Sequence, residues 1–393
     1  MKYTKVVIGA NYGDEGKGLM TSYFTRDARS NGYTCLNILF NGGPQRGHTV
    51  ENKDNFRHVC HAFGAGYSEG ADTYYNKHFM VNPFIFLAEE KELDLKVRVW
   101  VNLNCEITTP FDVLMNQALE KSRGSNRHGS CGCGIFETFH RVNEGFSFKC
   151  KDLMLSRGEL IAKIKFIRDK YFAEKRMKEL DITFPIEWRK DFFGNDILFN
   201  FINDLMEFKQ KVYFIESLSS IADYYDVAIF EGGQGLALDM NNHDEWPHLT
   251  PSHTGSDWVI EELKELNKHF SEYIDVEVCY VSRTYFTRHG AGKLKGEADP
   301  QLDLGIMALD NTNIANDWQG SIRYAPFDAI SYIDRVFNDK KKWSGHYVDF
   351  SQAFTHLNEL NDFNLYEAET KTDLYLSASK YPEEVLRITV LDS

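Results

Sequence analysis

The chain has 393 residues, of which 42% are hydrophobic, and its formal net charge at pH 7 is −14. This length and composition allow a large buried core, while the acidic balance argues against nucleic acid as a partner, because phosphate backbones are held by clustered Lys and Arg. No apolar run is long enough to cross a membrane, and the seven cysteines lack paired C-x-x-C spacing, so we expect a soluble protein of the cytoplasm, or of the host cytoplasm if phage-encoded.

Short runs of β-branched and aromatic residues recur between helical stretches. In chain order the predicted strands are Lys5 to Gly9, Cys35 to Phe40, Leu95 to Val101, Val212 to Ile215, Val227 to Phe230, Val276 to Val281 and Arg387 to Leu391. Amphipathic helices are predicted at Glu159 to Leu180 and at Asp257 to Phe270. This alternation predicts an α/β fold with a large, mainly parallel sheet flanked by helices. Because no linker or repeat divides the chain, we expect residues 1–393 to form a single domain with long inserted loops.

The first motif is GANYGDEGKG at residues 9–18, between the first predicted strand and a helix expected near Leu19. A glycine-rich turn and a helix N-terminus present backbone N–H groups to an anion, and Lys17 adds a positive charge. The motif therefore predicts a phosphate-binding loop. It departs from a standard P-loop because Gly18 replaces the magnesium-binding Ser or Thr and because Asp14 and Glu15 lie inside it. The alternative is a glycine-rich turn with an exposed acid pair.

Two further motifs follow predicted strands. NGGPQRGHT at residues 41–49 contains His48, whose imidazole can donate a proton or hydrogen bond to a purine oxygen, although a lone histidine is more often structural. FEGGQGLALD at residues 230–239 offers glycines for close approach of a ligand and Gln234 as donor and acceptor. The C-x-C pair of Cys131 and Cys133 has no second ligand pair, so we interpret it as incidental rather than as a metal site.

Together these motifs resemble the adenylosuccinate synthetase family. GDEGKG, GG-x3-GHT and FEG-x-QG occur in the family's order, and GSCGCGI (129–135), VSRTYFTRHGAG (281–292) and residues 321–328 extend the resemblance over nearly the whole chain. It implies a carbon–nitrogen ligase that joins L-aspartate to C6 of a purine monophosphate after a nucleoside triphosphate phosphorylates O6, with Mg²⁺ as cofactor and a homodimeric assembly. A non-catalytic nucleotide-binding switch is the alternative of another class, and it would not need His48 or Gln234.

The resemblance also implies roles for individual residues. The catalytic residues would be Asp14, His48, Lys17 and Gln234, with Asp14 taking the purine N1 proton and sharing Mg²⁺ with the Gly47 carbonyl. Residues expected to bind the triphosphate are Gly13, Glu15, Gly16, Lys17, Gly18, Thr49, Asn358, Ser377 and Ala378. Those expected to bind the purine monophosphate are Asp14, Asn41, Ser130, Cys131, Gln234, Thr250 and Arg141, the last across a dimer interface. Those expected to bind L-aspartate are Thr312, Asn313, Gln319 and Arg323.

Two departures from the family pattern suggest particular substrates. THLN at residues 355–358 stands where the family has a T-K-L-D-like segment, and the Asn358 amide can pair with adenine, which favours ATP or dATP over GTP. The aspartate loop keeps one arginine, Arg323, and with RTYFTRHGAG and GSCGCGI it resembles the archaeal and bacteriophage branch. That branch includes a synthase that uses dGMP to make N6-succino-2-amino-2′-deoxyadenylate. Ordinary adenylosuccinate synthetase, with IMP and GTP, stays open because Asp14 is retained.

Overall fold

A ten-stranded sheet runs through the molecule. The computed structural model describes residues 1–93, 97–184, 186–270, 273–306, 318–357 and 372–389. Its strands are β1 (Tyr3–Gly9), β2 (Cys35–Leu39), β3 (His48–Glu51), β4 (Arg57–Cys60), β5 (Asp72–Tyr75), β6 (Val99–Asn102), β7 (Tyr213–Ile215), β8 (Val227–Gly235), β9 (Asp275–Arg283), β10 (Tyr285–Arg288), β11 (Arg323–Pro326), β12 (Asp349–Thr355), β13 (Asp373–Leu376) and β14 (Leu386–Ile388). The sheet order is β14-β13-β12-β9-β1-β8-β2-β5-β6-β7.

Neighbouring strands of this sheet are parallel except at one edge. Only the β13–β14 pair is antiparallel among the described strands of the sheet. The predicted α/β fold with a mainly parallel sheet is therefore confirmed. Two antiparallel hairpins, β3–β4 and β10–β11, stand outside the sheet.

Helices cover both faces of the sheet. They are α1 (Lys17–Ser30), α2 (Pro83–Glu92), α3 (Pro110–Arg123), α4 (Ile135–Asn143), α5 (Arg157–Phe166), α6 (Met177–Glu179), α7 (Ile186–Phe193), α8 (Asp196–Lys211), α9 (Asp257–His269) and α10 (Ala329–Lys340). A π-helix, Ile167–Arg176, joins α5 to α6, so the predicted helix at Glu159 to Leu180 forms as one continuous helix. In the parts of the chain described here, no helix combines the length and apolarity needed to span a bilayer.

The central strands are buried on both faces, and alternate residues contribute to different cores. Val7 packs in a cluster with residues of α1, whereas Val6 and Ile8 pack in a cluster with residues of α9 and α10. This division follows from the two-residue repeat of a strand, which sends successive side chains to opposite faces. Every predicted strand overlaps an observed one, although β3, β4, β5 and β10 to β13 were not predicted.

The order of the strands brings several motifs to one edge. Strand β1 lies between β8 and β9, and β2 lies on the other side of β8. Because these strands are parallel, their carboxyl ends meet at the same edge, where ligands of open α/β sheets bind. The three sequence motifs lie at, or directly after, the carboxyl ends of β1, β2 and β8, so the fold brings the motifs together.

Candidate functional site

The loop between β1 and α1 is organised around the buried carboxylate of Glu15. Its Oε1 accepts hydrogen bonds from the backbone N–H groups of Asn11 (3.1 Å) and Gly13 (2.8 Å), and its Oε2 lies 2.6 Å from Lys17 Nζ. Burial raises the pKa of Glu15, but the Lys17 ammonium and the backbone hydrogen bonds outweigh it and leave that pKa below its ordinary value. Glu15 therefore neutralises Lys17 inside the loop. The carboxylate is thus turned away from a bound anion, and the contact of Glu15 with a triphosphate stays a prediction.

Glycines are required on both sides of this carboxylate. A Cβ added to Gly9 would lie 2.5 Å from Glu15 Oε2, and one added to Gly235 would lie 2.3 Å from Asn11 O. Gly16, immediately before α1, has φ +93°, a conformation that favours glycine. The glycine-rich character of the first motif therefore follows from close packing and from the turn into the helix.

Donors from the surrounding scaffold hold the carbonyl groups of the loop. The pairs are Arg335 Nε to Ala10 O at 2.9 Å, Thr287 Oγ1 to Gly13 O at 3.1 Å and Thr355 Oγ1 to Glu15 O at 2.8 Å. These donors come from α10, β10 and β12. Since these carbonyl groups point to the scaffold, they do not face an anion bound by loop N–H groups other than those of Asn11 and Gly13, which donate to Glu15, and this arrangement suits a phosphate-binding loop.

Asp14 occupies the loop in a strained backbone conformation. Its φ is +63°, in the left-handed region that is uncommon for residues other than glycine. Its side chain is 18% exposed, and its Oδ2 lies 3.5 Å from His289 Nε2. Arg283 Nε donates to the Asp14 carbonyl oxygen. Strain held by surrounding contacts is frequent at functional sites, and here the strained residue has a partly exposed carboxylate.

His48 lies beside the start of α1 and is held by Glu231. A Cβ added to Gly18 would lie 3.0 Å from His48 Cβ, and His48 Nδ1 lies 2.6 Å from Glu231 Oε1. The same Oε1 accepts a hydrogen bond from Arg46 Nη2 at 2.9 Å, and Oε2 accepts one from the Ala65 N–H at 2.9 Å. Glu231 on β8 thus joins the second and third motifs through a buried ion pair.

These contacts set the protonation of His48. Burial and the nearby Arg46 lower the pKa of His48 to about 4, against the opposing effect of Glu231. We therefore assign a neutral ring that donates Nδ1–H to Glu231 and leaves Nε2 as a buried acceptor without a hydrogen-bond partner among the described residues. In this state Nε2 does not donate, in contrast to the predicted donor role. Burial raises the pKa of Glu231, but Arg46 and His48 outweigh it and lower that pKa.

Asn41 and Gln234 meet at the ends of β2 and β8. Asn41 Oδ1 accepts a hydrogen bond from the Gly233 N–H at 2.7 Å, and its Nδ2 donates to His253 O at 2.9 Å. Gln234 Oε1 is buried without a hydrogen-bond partner in the described part of the chain, and a Cβ added to Gly42 would lie 2.8 Å from it. An amide acceptor left open at this position can bind an N–H group of a purine.

Two more predicted monophosphate contacts lie in loops that approach the β10 end. Ser130 Oγ accepts a hydrogen bond from Asn116 Nδ2 at 2.8 Å, and a Cβ added to neighbouring Gly129 would lie 2.6 Å from Gly290 Cα. The Ser130–Cys131 turn therefore packs against the loop that carries His289. Thr250 is fixed by its N–H, which donates to Leu238 O at 3.0 Å.

Arg141, predicted to contact the monophosphate across a dimer interface, is bonded within its own chain. Arg141 is fully buried within its own chain, where Nε lies 3.0 Å from Asp112 Oδ1 and Nη2 donates to Ile107 O at 2.8 Å. Asp112 also accepts from Thr109 to cap α3, so the guanidinium neutralises a buried capping carboxylate. In this arrangement the guanidinium is directed into its own chain, and the contact with a partner's monophosphate stays a prediction. The homodimer therefore stays a prediction that rests on the family resemblance.

The loops predicted to hold the triphosphate base are partly described. The Leu357 N–H donates to Ser377 O at 3.2 Å, which places the end of β12 against the loop after β13. Ser377 is buried, and Ala378 is exposed beside it. Asn358 lies outside the described residues. The structure thus brings the two predicted base loops together without placing the residue predicted to read the base.

The predicted aspartate-binding residues are described only in part. Thr312 and Asn313 lie outside the described residues. Gln319 O would lie 3.4 Å from a Cβ on Gly129, so Gln319 is close to the monophosphate turn. Arg323 Nη1 lies 2.7 Å from Glu297 Oε2, and its Nη2 donates to Gly292 O. Both residues therefore lie next to the loop after β10.

The ligands predicted for Mg²⁺ are oxygen atoms, as that ion requires. The Asp14 carboxylate is partly exposed, and Gly47, whose carbonyl is the second predicted ligand, is exposed. Thr49, predicted to bind the triphosphate, follows His48 on β3 and has a buried Oγ1 without a hydrogen-bond partner in the described ranges. The described residues also hold a separate group of possible ligands, Asp239, His253 and Asp257, where Lys342 Nζ already lies 2.6 Å from an Asp257 oxygen.

Comparison with known sequences decides the family. The sequence profile described as adenylosuccinate synthetase matches residues 6–313, which is most of the chain. The chain belongs to this family. The prediction made from the motifs is confirmed, and with it the prediction that the protein is a carbon–nitrogen ligase of the adenylosuccinate synthetase type.

Curated relatives of this family are distant. The adenylosuccinate synthetase of Blochmanniella pennsylvanica is 29% identical over 83% of this chain and 72% of its own length. The organellar chromatophore enzyme of Paulinella chromatophora is 25% identical over 76% of this chain and 64% of its own length. The enzyme of Alkalilimnicola ehrlichii is 26% identical, also over 76% of this chain, and the match spans 65% of its length. The chain thus spans about two thirds of the relatives that it matches.

Two solved structures share the fold. Fully ligated adenylosuccinate synthetase from Plasmodium falciparum superposes with a TM-score of 0.65 at 16% identity, covering 98% of this chain and 86% of the other. Succinoaminodeoxyadenylate synthetase of cyanophage S-2L, bound to dGMP and to dATP as an energy donor, superposes with a TM-score of 0.64 at 15% identity, covering 98% and 95%. At these identities the likeness establishes the fold.

Several residues that build the site were not predicted from the sequence. Glu231 lies inside the FEGGQG motif and Arg46 inside NGGPQRGHT, yet their pairing links positions 185 residues apart. Arg335 and Thr355 brace the phosphate loop from the last part of the chain. For Glu231 a signal was present, because a charged residue that follows an apolar strand run must find a buried partner.

Proposed function

We propose that this chain joins L-aspartate to C6 of dGMP, with conversion of ATP or dATP to the diphosphate and phosphate, and forms N6-succino-2-amino-2′-deoxyadenylate. The observation that carries the ligase chemistry is the convergence of the phosphate loop, the Asp14 carboxylate and the His48–Glu231 pair at one sheet edge. The choice of dGMP is supported by the loops at residues 129–135 and 281–292, which resemble the archaeal and bacteriophage branch, and by the fold shared with a phage synthetase bound to dGMP.

The reaction requires activation of O6. The C6–O bond of the purine is amide-like and breaks poorly, so transfer of the γ-phosphoryl group to O6 creates a leaving group. The α-amino group of aspartate then attacks C6 and expels phosphate. Asp14 accepts the N1 proton, which leaves electron density on O6 for attack on phosphorus. Loop N–H groups and Lys17 offset the charge of the transferred group, because phosphoryl transfer depends mainly on positioning and charge neutralisation.

His48 acts through Nε2, which lies open in a buried position. A phosphoryl oxygen placed beside Nε2 favours the imidazolium form, since the added negative charge offsets the burial that keeps the ring neutral. The Nδ1–H group then keeps its hydrogen bond to Glu231, and the Nε2–H group donates a hydrogen bond to the transferred phosphoryl group. In this scheme the predicted donor role of His48 begins only when the substrates are in place.

Mg²⁺ suits the oxygen ligands at this site. Asp14 supplies a partly exposed carboxylate and Gly47 an exposed carbonyl, and Mg²⁺ typically combines one or two protein oxygens with water and substrate phosphates. Bound there, the ion would neutralise charge on the transferred phosphoryl group.

Ordinary adenylosuccinate synthesis from IMP, L-aspartate and GTP is the second candidate. The observation that favours it is that the curated relatives bear that name, the first at 29% identity. Our preference for ATP or dATP over GTP rests on Asn358, whose amide can accept from and donate to adenine, whereas an ionised aspartate accepts only.

A substrate panel tests the proposal. Purified protein is incubated with L-aspartate, Mg²⁺ and each of IMP, GMP and dGMP, combined with ATP, dATP or GTP, and both phosphate release and product mass are measured. We expect aspartate-dependent phosphate release that is fastest with dGMP and with ATP or dATP. Asn358→Asp should move the donor preference toward GTP by about 1–3 kcal/mol, the range for a bidentate base contact.

Matched aspartate variants separate catalysis from folding. Asp14→Asn should abolish turnover with an unchanged melting curve, whereas Asp334→Asn, on the exposed side of α10, should behave as wild type. Exclusive use of IMP would leave ordinary adenylosuccinate synthesis as the function. Phosphate release that ignores aspartate with every acceptor would contradict ligase activity altogether.

A further inference from the structure

Two of the seven cysteines differ from the rest in exposure. Cys131 and Cys133 are partly exposed, whereas the other five are buried: Cys35, Cys60, Cys105, Cys150 and Cys279. Burial raises the pKa of each of these five thiols, so they stay protonated and unreactive at neutral pH. Thiol chemistry in the folded protein is therefore confined to the C-x-C turn.

The two cysteines lie on one tight turn of the backbone. Gly132 between them has φ +72°, a left-handed conformation that reverses the chain. The Cys133 thiol lies 3.7 Å from the Cys131 carbonyl oxygen, to which it donates a hydrogen bond. A Cβ added to Gly132 would lie 2.8 Å from the Trp318 ring, so that ring packs against the turn and holds it in place. The pair is therefore preorganised.

The same turn stabilises a thiolate on one of the two sulfurs. The neighbouring Cys133 thiol and backbone N–H groups lower the pKa of Cys131 despite burial, whereas the neighbouring Cys131, together with burial, raises the pKa of Cys133. Both residues also precede the N-terminus of α4, whose dipole favours negative charge. One nucleophilic and one protonated sulfur, two residues apart on a tight turn, is the arrangement of a dithiol redox pair.

We propose that Cys131 and Cys133 form a redox-active dithiol site that low-molecular-weight disulfides, of the oxidised glutathione class, convert to an intramolecular disulfide. The Cys131 thiolate attacks one sulfur of the reagent and expels a thiolate, which forms a mixed disulfide. The Cys133 thiolate then attacks Cys131 Sγ and releases the second reduced thiol. Two protons leave the protein thiols, and two electrons pass to the reagent, so the step balances.

Oxidation has a consequence for the nucleotide, and this part rests on the proposed function. Ser130 and Cys131 are predicted monophosphate contacts, and the backbone N–H groups that stabilise the Cys131 thiolate are donors that suit a phosphate. A bound purine monophosphate and the thiolate therefore compete for the same donors. The nucleotide should slow oxidation, and the disulfide should weaken nucleotide binding.

Mass spectrometry of trapped thiols tests the site directly. The full-length protein is incubated with mixtures of oxidised and reduced glutathione, denatured in N-ethylmaleimide and digested. We expect the peptide containing Cys131 and Cys133 to lose two hydrogens and to escape alkylation at least about tenfold faster than any buried cysteine. Cys133→Ser should stop at the glutathione adduct on Cys131. Cys35→Ser, which replaces a buried thiol near the Thr25 and Tyr33 carbonyl oxygens, should leave the oxidation of the pair unchanged.

Each outcome decides the proposal. A pair that stays fully alkylated under excess oxidised glutathione, or that reacts no faster than the buried cysteines, overturns it. Failure of Cys133→Ser to accumulate the adduct also overturns the two-step route. Protection by dGMP or IMP is tested separately. An oxidation rate that neither nucleotide changes contradicts the proposed monophosphate contact at this turn, but it does not contradict the dithiol site.

Discussion

Replacement of Glu231 by glutamine should strongly destabilise the protein. The carboxylate accepts from three donors, with Arg46 and His48 at Oε1 and the Ala65 N–H at Oε2. Glutamine has one oxygen and one NH₂ group, so in either orientation its NH₂ faces a buried donor. An unsatisfied buried donor costs about 1–3 kcal/mol, and leaving the Arg46 charge without its partner costs about 3–5 kcal/mol. We expect the free energy of unfolding to fall by roughly 3–5 kcal/mol, since the two effects overlap.

Urea unfolding at pH 7.5, followed by circular dichroism, measures this loss. Arg46→Met and the double variant Arg46→Met/Glu231→Gln complete a cycle that isolates the coupling between the two residues. Because the methionine needs no anion, the double variant should recover part of the stability lost in Glu231→Gln. The double variant, more stable than Glu231→Gln, is then the folded protein in which the effect on turnover is measured.

Two results would refute the reasoning. A loss below about 1 kcal/mol in Glu231→Gln would mean that the carboxylate is not a buried acceptor for a charged partner. Strictly additive effects of the two changes would mean that Arg46 and Glu231 do not interact.

Two further perturbations follow from other buried groups. Burial, together with nearby Glu261, raises the pKa of Glu262 to about 7, so its neutral form stabilises the fold at low pH and that contribution is lost as pH rises from about 4.5 through 7. Glu262→Gln should therefore stabilise the protein by roughly 3 kcal/mol at pH 8.5 and by little at pH 4.5, which thermal unfolding at both pH values will measure. Gly235→Ala, whose Cβ would lie 2.3 Å from Asn11 O, should displace the phosphate loop and reduce nucleotide turnover at least about tenfold. The control Gly158→Ala, whose Cβ would meet open space, should keep wild-type turnover and raise the free energy of unfolding by up to about 1 kcal/mol. Equal turnover in both variants would contradict the packing argument.

Prediction from sequence succeeded where the apolar pattern was continuous and failed where buried strands carry polar side chains. Strand β12 reads DFSQAFT, and because its polar residues neither alternate regularly nor form an apolar run, the sequence hid a strand that pairs with β9. Ser351 Oγ donates to Glu277 Oε1 at 2.6 Å, and Gln352 Oε1 accepts from the Tyr332 hydroxyl at 2.8 Å. Partners on other elements make these burials tolerable, and the local sequence does not reveal them.

The candidate site shows the same division. The phosphate loop was predictable because strand, glycines and helix start are contiguous in residues 9–18. The contact of the Glu15 carboxylate with Lys17 was not predictable, because it depends on the loop conformation. The contact of Glu231 with His48 was not predictable either, because these residues lie 183 positions apart in the chain. For Arg141, alignment with the family suggested a role, whereas the nearby Asp112 determined its actual position.

The central position of the first strand determines when the site can form during synthesis. Strand β1 has no sheet neighbour from its own vicinity, since Tyr3 pairs with Val227 and with Asp275. At about 5–20 residues per second, a ribosome needs roughly 14–54 s to progress from Tyr3 to its later partner, Asp275. Throughout that time the apolar first strand lacks at least one of its two neighbouring strands, and the phosphate loop lacks the donors from α10, β10 and β12 that hold its carbonyl groups. The nucleotide site is therefore assembled late, although its motif is among the first residues made, and refolding should be slow for the same reason of long-range contacts.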